Sequence, residues 1–191
     1  MKNFIVILLV VGLISTVSAQ FKLASITTSL GKGSVTSGYD INLTFVQEND
    51  NKLSIVGNHT RAYAAYCWPH DVISVSASGG FFKNTPWGGP KIVITPTEFL
   101  STLHWLAIGA GEPEHPAWKV KMLFGFNALL VKIGNFQVSY SLLHFLQNKP
   151  EHIPGTFYGN NLGDNWSYSV GVEYNLNTSE PLFQGSLKKT L

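Results

Sequence analysis

The sequence predicts an all-β fold, a single antiparallel up-and-down transmembrane β-barrel of about eight strands. Three observations lead to this fold class. Charged residues make up only 13% of the chain, about half of the ~25% that is typical of soluble domains. After residue 19, no run reaches the ~18 apolar residues of a membrane-spanning helix. Several segments instead alternate between apolar and polar side chains, as strands do in the closed barrels that cross bilayers.

Residues 1–19 have the pattern of a secretory signal peptide. Lys2 supplies a positive charge, Phe4 to Ile14 form a short apolar core, and Val17-Ser18-Ala19 is a small-residue cleavage site. The core is shorter than the ~20 residues that a spanning helix needs. We therefore expect export through a cleaved signal peptide.

The rest of the chain is predicted to form one domain. We divide the sequence into the signal peptide (1–19), the barrel domain (20–183) and a short basic C-terminal tail (184–191). Cys67 is the only cysteine, so the chain cannot form an intramolecular disulfide. The formal net charge is only +2, without a long basic run, and this argues against nucleic acid as a partner.

The clearest predicted strand is "NWSYSVGVEYNL" at 165–176. One face is apolar, with aromatic side chains near its ends, and carries Trp166, Tyr168, Val170, Val172, Tyr174 and Leu176. The other face is small and polar, with Ser167, Ser169, Gly171, Glu173 and Asn175. This alternation with a period of two is typical of barrel strands that have an apolar outer surface and a polar interior.

Seven further segments complete the predicted barrel. They are 21–30, 38–47, 52–66, 71–82, 90–109, 118–133 and 136–147. In 118–133 the apolar face includes Phe126, and Gly134-Asn135 is a tight hairpin signal between this segment and the next one. Residues 95–108 could instead begin a short helix capped at Thr97, but the β-branched residues before it favour a strand.

The signal peptide, the scarcity of charge, the alternating segments and the "VKIGNFQVSY" hairpin together resemble a small bacterial outer-membrane β-barrel protein. The resemblance is to an architecture and covers residues 21–183. It implies location in the outer membrane of a Gram-negative bacterium. The partners that it implies are membrane lipids, with lipopolysaccharide as a candidate, and an unspecified partner of the external loops.

Two segments share a Pro-Glu-His motif, in "GEPEHPAWKV" and in "NKPEHIPGTF". Because the tight turn at 134–135 lies at the other end of the intervening hairpin, both segments are predicted at one external rim of the barrel. Proline marks the point where strand pairing stops. Glu114, His115, Glu151 and His152 are weak metal-ligand candidates, since adjacent Glu-His lacks the spacing of a helical zinc motif. We predict ordinary polar loop residues and no metal or other cofactor.

Two histidines are weak catalytic candidates. His104 and His144 lie in the apolar segments "TLHWL" and "LLHFL", and a histidine that faced the barrel interior could act as a base for a serine nucleophile. The sequence lacks the His-x-Ser pattern of outer-membrane deacylases, so packed or interfacial histidines are preferred. Trp87, in a segment rich in proline and glycine, is predicted to anchor the barrel at the membrane interface.

No specific activity follows from the sequence. The leading hypothesis is a non-enzymatic outer-membrane barrel with a structural role or a surface-interaction role through its external loops. The alternatives are a lipid-modifying barrel enzyme that uses one of these histidines and a soluble lipocalin-like carrier of an apolar ligand. The orientation of Tyr168, Val170 and Val172 separates a membrane barrel, where they face outward, from a soluble carrier, where they face inward.

Overall fold

The computed structural model describes residues 21–32, 37–58, 61–82, 85–109, 121–144 and 149–191. The predicted signal peptide and the first Pro-Glu-His motif lie outside these residues. The strands are β1 (Phe21–Lys32), β2 (Ser37–Gln47), β3 (Lys52–Gly57), β4 (Arg61–Pro69), β5 (Ile73–Phe82), β6 (Thr85–Thr97), β7 (Leu100–Gly109), β8 (Lys121–Ile133), β9 (Phe136–His144), β10 (Glu151–Gly163), β11 (Trp166–Asn175) and β12 (Glu180–Thr190). Within the described ranges, no helix is long and apolar enough to cross a membrane.

The twelve strands form a closed barrel. Each strand pairs antiparallel with its neighbours in the chain, and β1 closes the barrel against β12, from Ser25 opposite Thr190 to Gly31 opposite Gln184. The predicted all-β, antiparallel, up-and-down barrel is therefore confirmed. The predicted number of about eight strands is wrong.

Two of the four additional strands come from predicted segments that each fold into a hairpin. The segment 52–66 contains β3 and the start of β4, and between these strands the Arg61 amide donates to Asn58 Oδ1 at 2.9 Å. The segment 90–109 contains the end of β6 and all of β7, joined through Glu98 and Phe99. Neither Glu98 nor Phe99 is a turn-forming residue type, so the sequence pattern continues through the turn. The preference for strand over helix at 95–108 is confirmed.

The other two strands lie in segments that resemble loops. β10 contains Pro154 and several glycines and asparagines, which are depleted from most strands. The ladder between β10 and β11 begins at Gly155, so the missing amide of Pro154 falls beyond its end. β12 runs through residues 184–190, which corrects the prediction of a basic tail there. Lys188 and Lys189 make this segment resemble a basic tail, but its residues alternate as in a strand, and Phe183 and Leu187 are exposed.

The strand order defines two rims. The terminal rim holds the start of β1, the end of β12 and the turns at 48–51, 70–72, 98–99, 134–135 and 164–165. The strand ends that lead into the other six connections lie at the opposite rim, and the longest intervals between strands, 110–120 and 145–150, are among these six. The strand ends that border the two Pro-Glu-His segments lie at this rim, while the first motif lies outside the described residues. The second motif opens β10, because Glu151 is the first residue of that strand, which corrects the prediction of a loop.

Polar side chains lie inside the barrel and apolar side chains cover its outer surface. In β11, Val170 is 52% exposed, whereas Glu173 is 3% exposed. The same contrast separates exposed Val138 from buried Ser139 in β9, and exposed Val75 from buried Ser76 in β5. The predicted outward orientation of the apolar face of 165–176 is confirmed.

Several aromatic residues lie inside the barrel instead, and two of them correct predictions. Phe126 is buried on the inner face of β8, so the apolar face predicted in 118–133 does not all point outward there. Trp87 is also buried, and it packs against Tyr63 inside the barrel, which corrects its prediction as an interfacial anchor. A barrel of twelve strands has a wider interior than one of eight, and large side chains fill part of the additional width.

Candidate functional site

The barrel interior has a polar wall, formed by inner-face side chains of β11, β12, β1 and β2. The hydroxyls of Ser169 in β11 and Ser186 in β12 are hydrogen-bonded at 2.8 Å. Gln184 Nε2 donates to Glu173 Oε2 at 3.2 Å, so this buried carboxylate has a partner on the next strand. Inner-face serine, threonine and asparagine continue this wall through β1 and β2. The wall can hydrogen-bond water or a polar solute.

An ion pair lies where the polar wall meets β4. Arg61 Nε donates to Asp40 Oδ1 at 3.1 Å, and Arg61 Nη2 donates to Asp40 Oδ2. Asn58 Nδ2 also donates to Asp40 Oδ1, at 2.8 Å. The buried carboxylate therefore accepts three hydrogen bonds, two from the guanidinium and one from the Asn58 amide. These bonds satisfy the requirement that a buried charge be paired.

The opposite wall is aromatic and aliphatic. Tyr63, Trp87 and Trp105 form a triangle, with ring centroids 5.4 to 5.6 Å apart. Trp105 Nε1 donates to Ser78 Oγ at 3.1 Å, and that hydroxyl donates to the Gly89 carbonyl at 2.7 Å. The indole is therefore fixed to the backbone of β6 through one serine.

The aromatic triangle is continuous with an aliphatic cluster. Trp105, Leu103 and Leu130 pack against the buried cluster of Phe126, Ala128, Leu143, Ile153 and Leu182. These residues belong to β7, β8, β9, β10 and β12. The interior thus combines a polar wall with a packed apolar wall. In register, Lys91 lies opposite Ser76 of β5 and Trp105 of β7, so it brings a positive charge to the apolar side.

Both histidines named as catalytic candidates lie on the outer face of the barrel. His104 is exposed, and its Nδ1–H donates to Asn127 Oδ1 at 2.8 Å. His144 lies opposite Gly125 in the β8–β9 ladder and next to buried Leu143 in the chain. The interior serines project from the other face of the sheet. The structure therefore does not bring these two histidines together with those serines.

The metal-ligand candidates are also distributed over two faces. Glu151 Oε2 accepts a hydrogen bond from Asn175 Nδ2 at 2.7 Å, on the inner side. His152 Nδ1 lies 2.5 Å from the Tyr140 hydroxyl, on the outer side. Glu114 and His115 lie outside the described residues. Within the described part of the chain, no three His, Cys, Asp or Glu residues form a group that could hold a metal ion.

Sequence reasoning did not single out the interior residues as a site. Asp40 appears only as one polar residue in the alternation of 38–47, and Arg61 lies near the middle of a predicted strand. Asp40 and Arg61 could have been identified because charged residues are scarce in this chain. A charged residue within a spanning strand belongs on the interior face.

Comparisons with known proteins give only a distant similarity. No protein-family model matches the sequence, and no curated protein matches it. Among solved structures, the chain is similar to a mutant of the porin of Rh. blastica, with 11% sequence identity and a TM-score of 0.46. The similarity covers 80% of this chain and 55% of the porin chain, so the chain spans about half the length of that structure. We therefore base the function on the geometry of the barrel alone.

Proposed function

We propose that the chain is an integral β-barrel protein of a bacterial outer membrane, with a structural or surface-interaction role. The observation that carries this proposal is the inverted distribution of side chains, with apolar residues exposed and polar residues buried. The exposed apolar residues include Ile41, Val75, Ile92, Leu106, Leu129, Val138, Val170 and Leu187. They belong to eight different strands and so surround the barrel. Soluble monomers rarely expose continuous apolar surface beyond a few hundred Å².

Aromatic side chains border this apolar belt at the terminal rim. On one side of the barrel, the Tyr66 ring lies 6.3 Å from Phe21 and 4.8 Å from Trp68. On another side, Phe136 and Tyr158 have ring centroids 5.1 Å apart. Aromatic girdles of this kind mark the two interfaces of transmembrane barrels.

A second group of aromatic residues lies towards the opposite rim. Tyr39, Phe81, Tyr174 and Phe183 are all exposed there. The belt between the two groups is crossed by strands of about ten residues, which is the length that a tilted strand needs to cross the hydrocarbon layer. An aromatic group thus lies on each side of the apolar belt, which supports the proposal that the barrel spans a bilayer.

The closed hydrogen-bond ladder supports the same proposal. Every strand in the described barrel has two paired neighbours, because β1 and β12 also pair. In hydrocarbon, unpaired backbone groups cost several kcal/mol each, so a sheet can span the membrane only when it is closed. A soluble carrier is disfavoured because its apolar residues would face the interior.

The packed apolar wall favours a structural role over a wide aqueous pore. Trp87, Trp105 and Phe126 occupy interior space that a porin-like channel would leave to water. We propose the two longest connections, 110–120 and 145–150, as the contact region for lipopolysaccharide or another external partner. Lipids of the surrounding bilayer are the partners that the apolar belt requires.

The proposal is tested by membrane fractionation followed by gel electrophoresis with and without boiling. We expect the protein in the detergent-soluble outer-membrane fraction, with a shifted mobility in unboiled samples because a closed barrel resists the detergent. Recovery in the soluble fraction, together with mobility that does not depend on boiling, would overturn the proposal. The mass of the mature protein tests the proposed export separately, since cleavage after Ala19 leaves a chain that begins at Gln20.

A further inference from the structure

One hydrogen-bonded polar pair interrupts the apolar belt in the middle of two strands. His104 lies in the central part of β7, and Asn127 lies in the central part of β8. The two residues are directly opposite in the β7–β8 ladder. Asn127 projects outward because its neighbours Phe126 and Ala128 are both buried. The pair is therefore on the outer face, at the depth of the belt.

The surroundings of this pair are apolar. Its neighbours on the outer face include Ile92 in β6, which lies opposite His104, and the exposed Leu106 and Leu129 in β7 and β8. Another hydrogen-bonded pair on this side joins Tyr140 to His152, the second residue of β10, where polar groups near the opposite rim can reach water. Polar groups that face hydrocarbon are costly, and they normally have a partner within the membrane.

The hydrogen bond between His104 and Asn127 involves only one nitrogen of the imidazole and only the oxygen of the amide. With Nδ1–H donating to Oδ1, the remaining imidazole nitrogen, Nε2, is an acceptor, and the Asn127 amide retains its N–H donors. In a second copy related by a two-fold axis, the amide N–H of Asn127 can face Nε2 of His104 in the first copy. Residue i then contacts residue j in both directions, as an isologous interface requires.

The same patch allows close approach. Gly125 lies on the outer face of β8, two residues before Asn127. Among the described residues, a Cβ atom added to Gly125 would come within 4 Å of the His144 Cβ alone, at 3.8 Å. The absence of a side chain there leaves a depression beside the polar pair. Small residues at this kind of position let membrane-embedded backbones approach one another.

We propose that the outer face of β7 and β8 is a two-fold interface between copies of this chain within the membrane. Asn127 of each copy donates to His104 of the other, and apolar residues around the pair complete the contact. This inference rests on the proposed membrane location. It adds a defined surface, a defined partner and a defined symmetry to that location.

Dipolar spectroscopy between spin labels tests this interface in liposomes. Cys67→Ser removes the only cysteine, and Leu129→Cys then places a label beside the polar pair without changing it. Ile41→Cys is the matched control, because Ile41 is exposed on β2, six strands away around the barrel. We expect a short distance between the copies for the label at 129 and only long distances for the label at 41. A short distance at 41 alone, or no distance between copies at either position, would overturn the interface.

A double variant links the interface to the polar pair itself. His104→Leu with Asn127→Leu makes the belt continuously apolar, and we expect the short distance at 129 to be lost while the boiling-dependent gel shift remains. The control His152→Leu alters the other outward histidine and should retain the short distance. An unchanged distance in the double variant would refute the role of the pair. Protein that floats with liposomes but stays monomeric refutes only this inference, whereas protein that does not float refutes the membrane proposal.

Discussion

Arg61 and Asp40 form an ion pair inside the barrel, although strand β3 lies between their own strands. The guanidinium donates to both carboxylate oxygens, and the side chains are 17% and 7% exposed, respectively. Asn58, at the end of β3, donates to the same carboxylate. These contacts connect three consecutive strands across their inner face. The pair therefore stabilises this part of the barrel wall through side chains as well as through the backbone ladder.

Removing the carboxylate charge should be costly, because it takes away the negative charge to which the buried guanidinium donates. Asp40→Asn is expected to lower the free energy of unfolding by about 3 kcal/mol, in the range found when one partner of a buried pair is removed. The matched control is Glu180→Gln, which breaks the exposed pair between Glu180 and Lys32 and should cost less than about 1 kcal/mol. Urea unfolding of both variants in lipid vesicles measures the difference. Equal effects of the two variants would contradict the structural importance of the interior pair.

Gly89 should not tolerate a side chain. A Cβ atom at this position would lie 1.8 Å from the Leu106 carbonyl oxygen and 3.3 Å from the Ala107 Cα, so the β6 and β7 backbones would have to separate. Gly89→Ala is expected to destabilise the barrel by about 3 kcal/mol or more, at the upper end of the costs of overpacking. Gly57→Ala is the control, because its Cβ would meet only the Arg61 carbonyl oxygen, at 3.9 Å. The measurement is the fraction of each variant that refolds into the boiling-sensitive form. Comparable refolding of both variants would argue against the close approach of β6 and β7.

A lysine should be tolerated inside the barrel and rejected on its outer face. Val170→Lys places a charge in the apolar belt and is expected to cost about 2–4 kcal/mol if that belt faces lipid. Gln184→Lys, on the inner face of the adjacent strand, places an ammonium near the Glu173 carboxylate and should have little effect. Unfolding in vesicles compares the two variants. A neutral effect of Val170→Lys would indicate that water, not lipid, surrounds β11.

The general fold could be predicted because its cause is periodic and local. In β11 successive side chains point alternately to the outer surface and to the interior, so residue type indicates both the strand and its two faces. β9 follows the same rule as far as Leu142, whereas the apolar Leu143 is buried inside. The number of strands was harder to predict. The turn at Glu98 and Phe99 contains no glycine, proline or asparagine that would indicate it, and β10 and β12 resemble loop and tail sequence.

The interior site could not be predicted because it depends on pairing between distant segments. The Tyr63, Trp87 and Trp105 triangle combines β4, β6 and β7, and no local pattern relates these residues. Phe126 was assigned to the apolar face, which the barrel hypothesis places outside. The alternation cannot distinguish an apolar side chain that fills the interior from one that faces lipid. Register and closure determine which of the two applies.

The rim opposite the termini should face the outside of the cell. Periplasmic turns of outer-membrane barrels are short, and external connections are longer, as they are here on the two rims. In a Cys67→Ser background, Lys149→Cys lies at the opposite rim and Asn135→Cys at the terminal rim, and both positions are exposed. We expect a membrane-impermeant maleimide to label position 149 in intact cells and position 135 only after lysis. The reverse pattern would invert the proposed orientation.

The most direct test of the central claim is a spin-label accessibility scan along β11. Positions 167–174 are changed singly to cysteine in the Cys67→Ser background, labelled, and reconstituted into liposomes. Collisions with oxygen report exposure to lipid, and collisions with a water-soluble nickel chelate report exposure to water. If the barrel spans the membrane as proposed, labels at 168, 170, 172 and 174 will show high oxygen accessibility and low chelate accessibility, alternating with the opposite at the intervening positions. High chelate accessibility at 168, 170 and 172 would contradict membrane insertion.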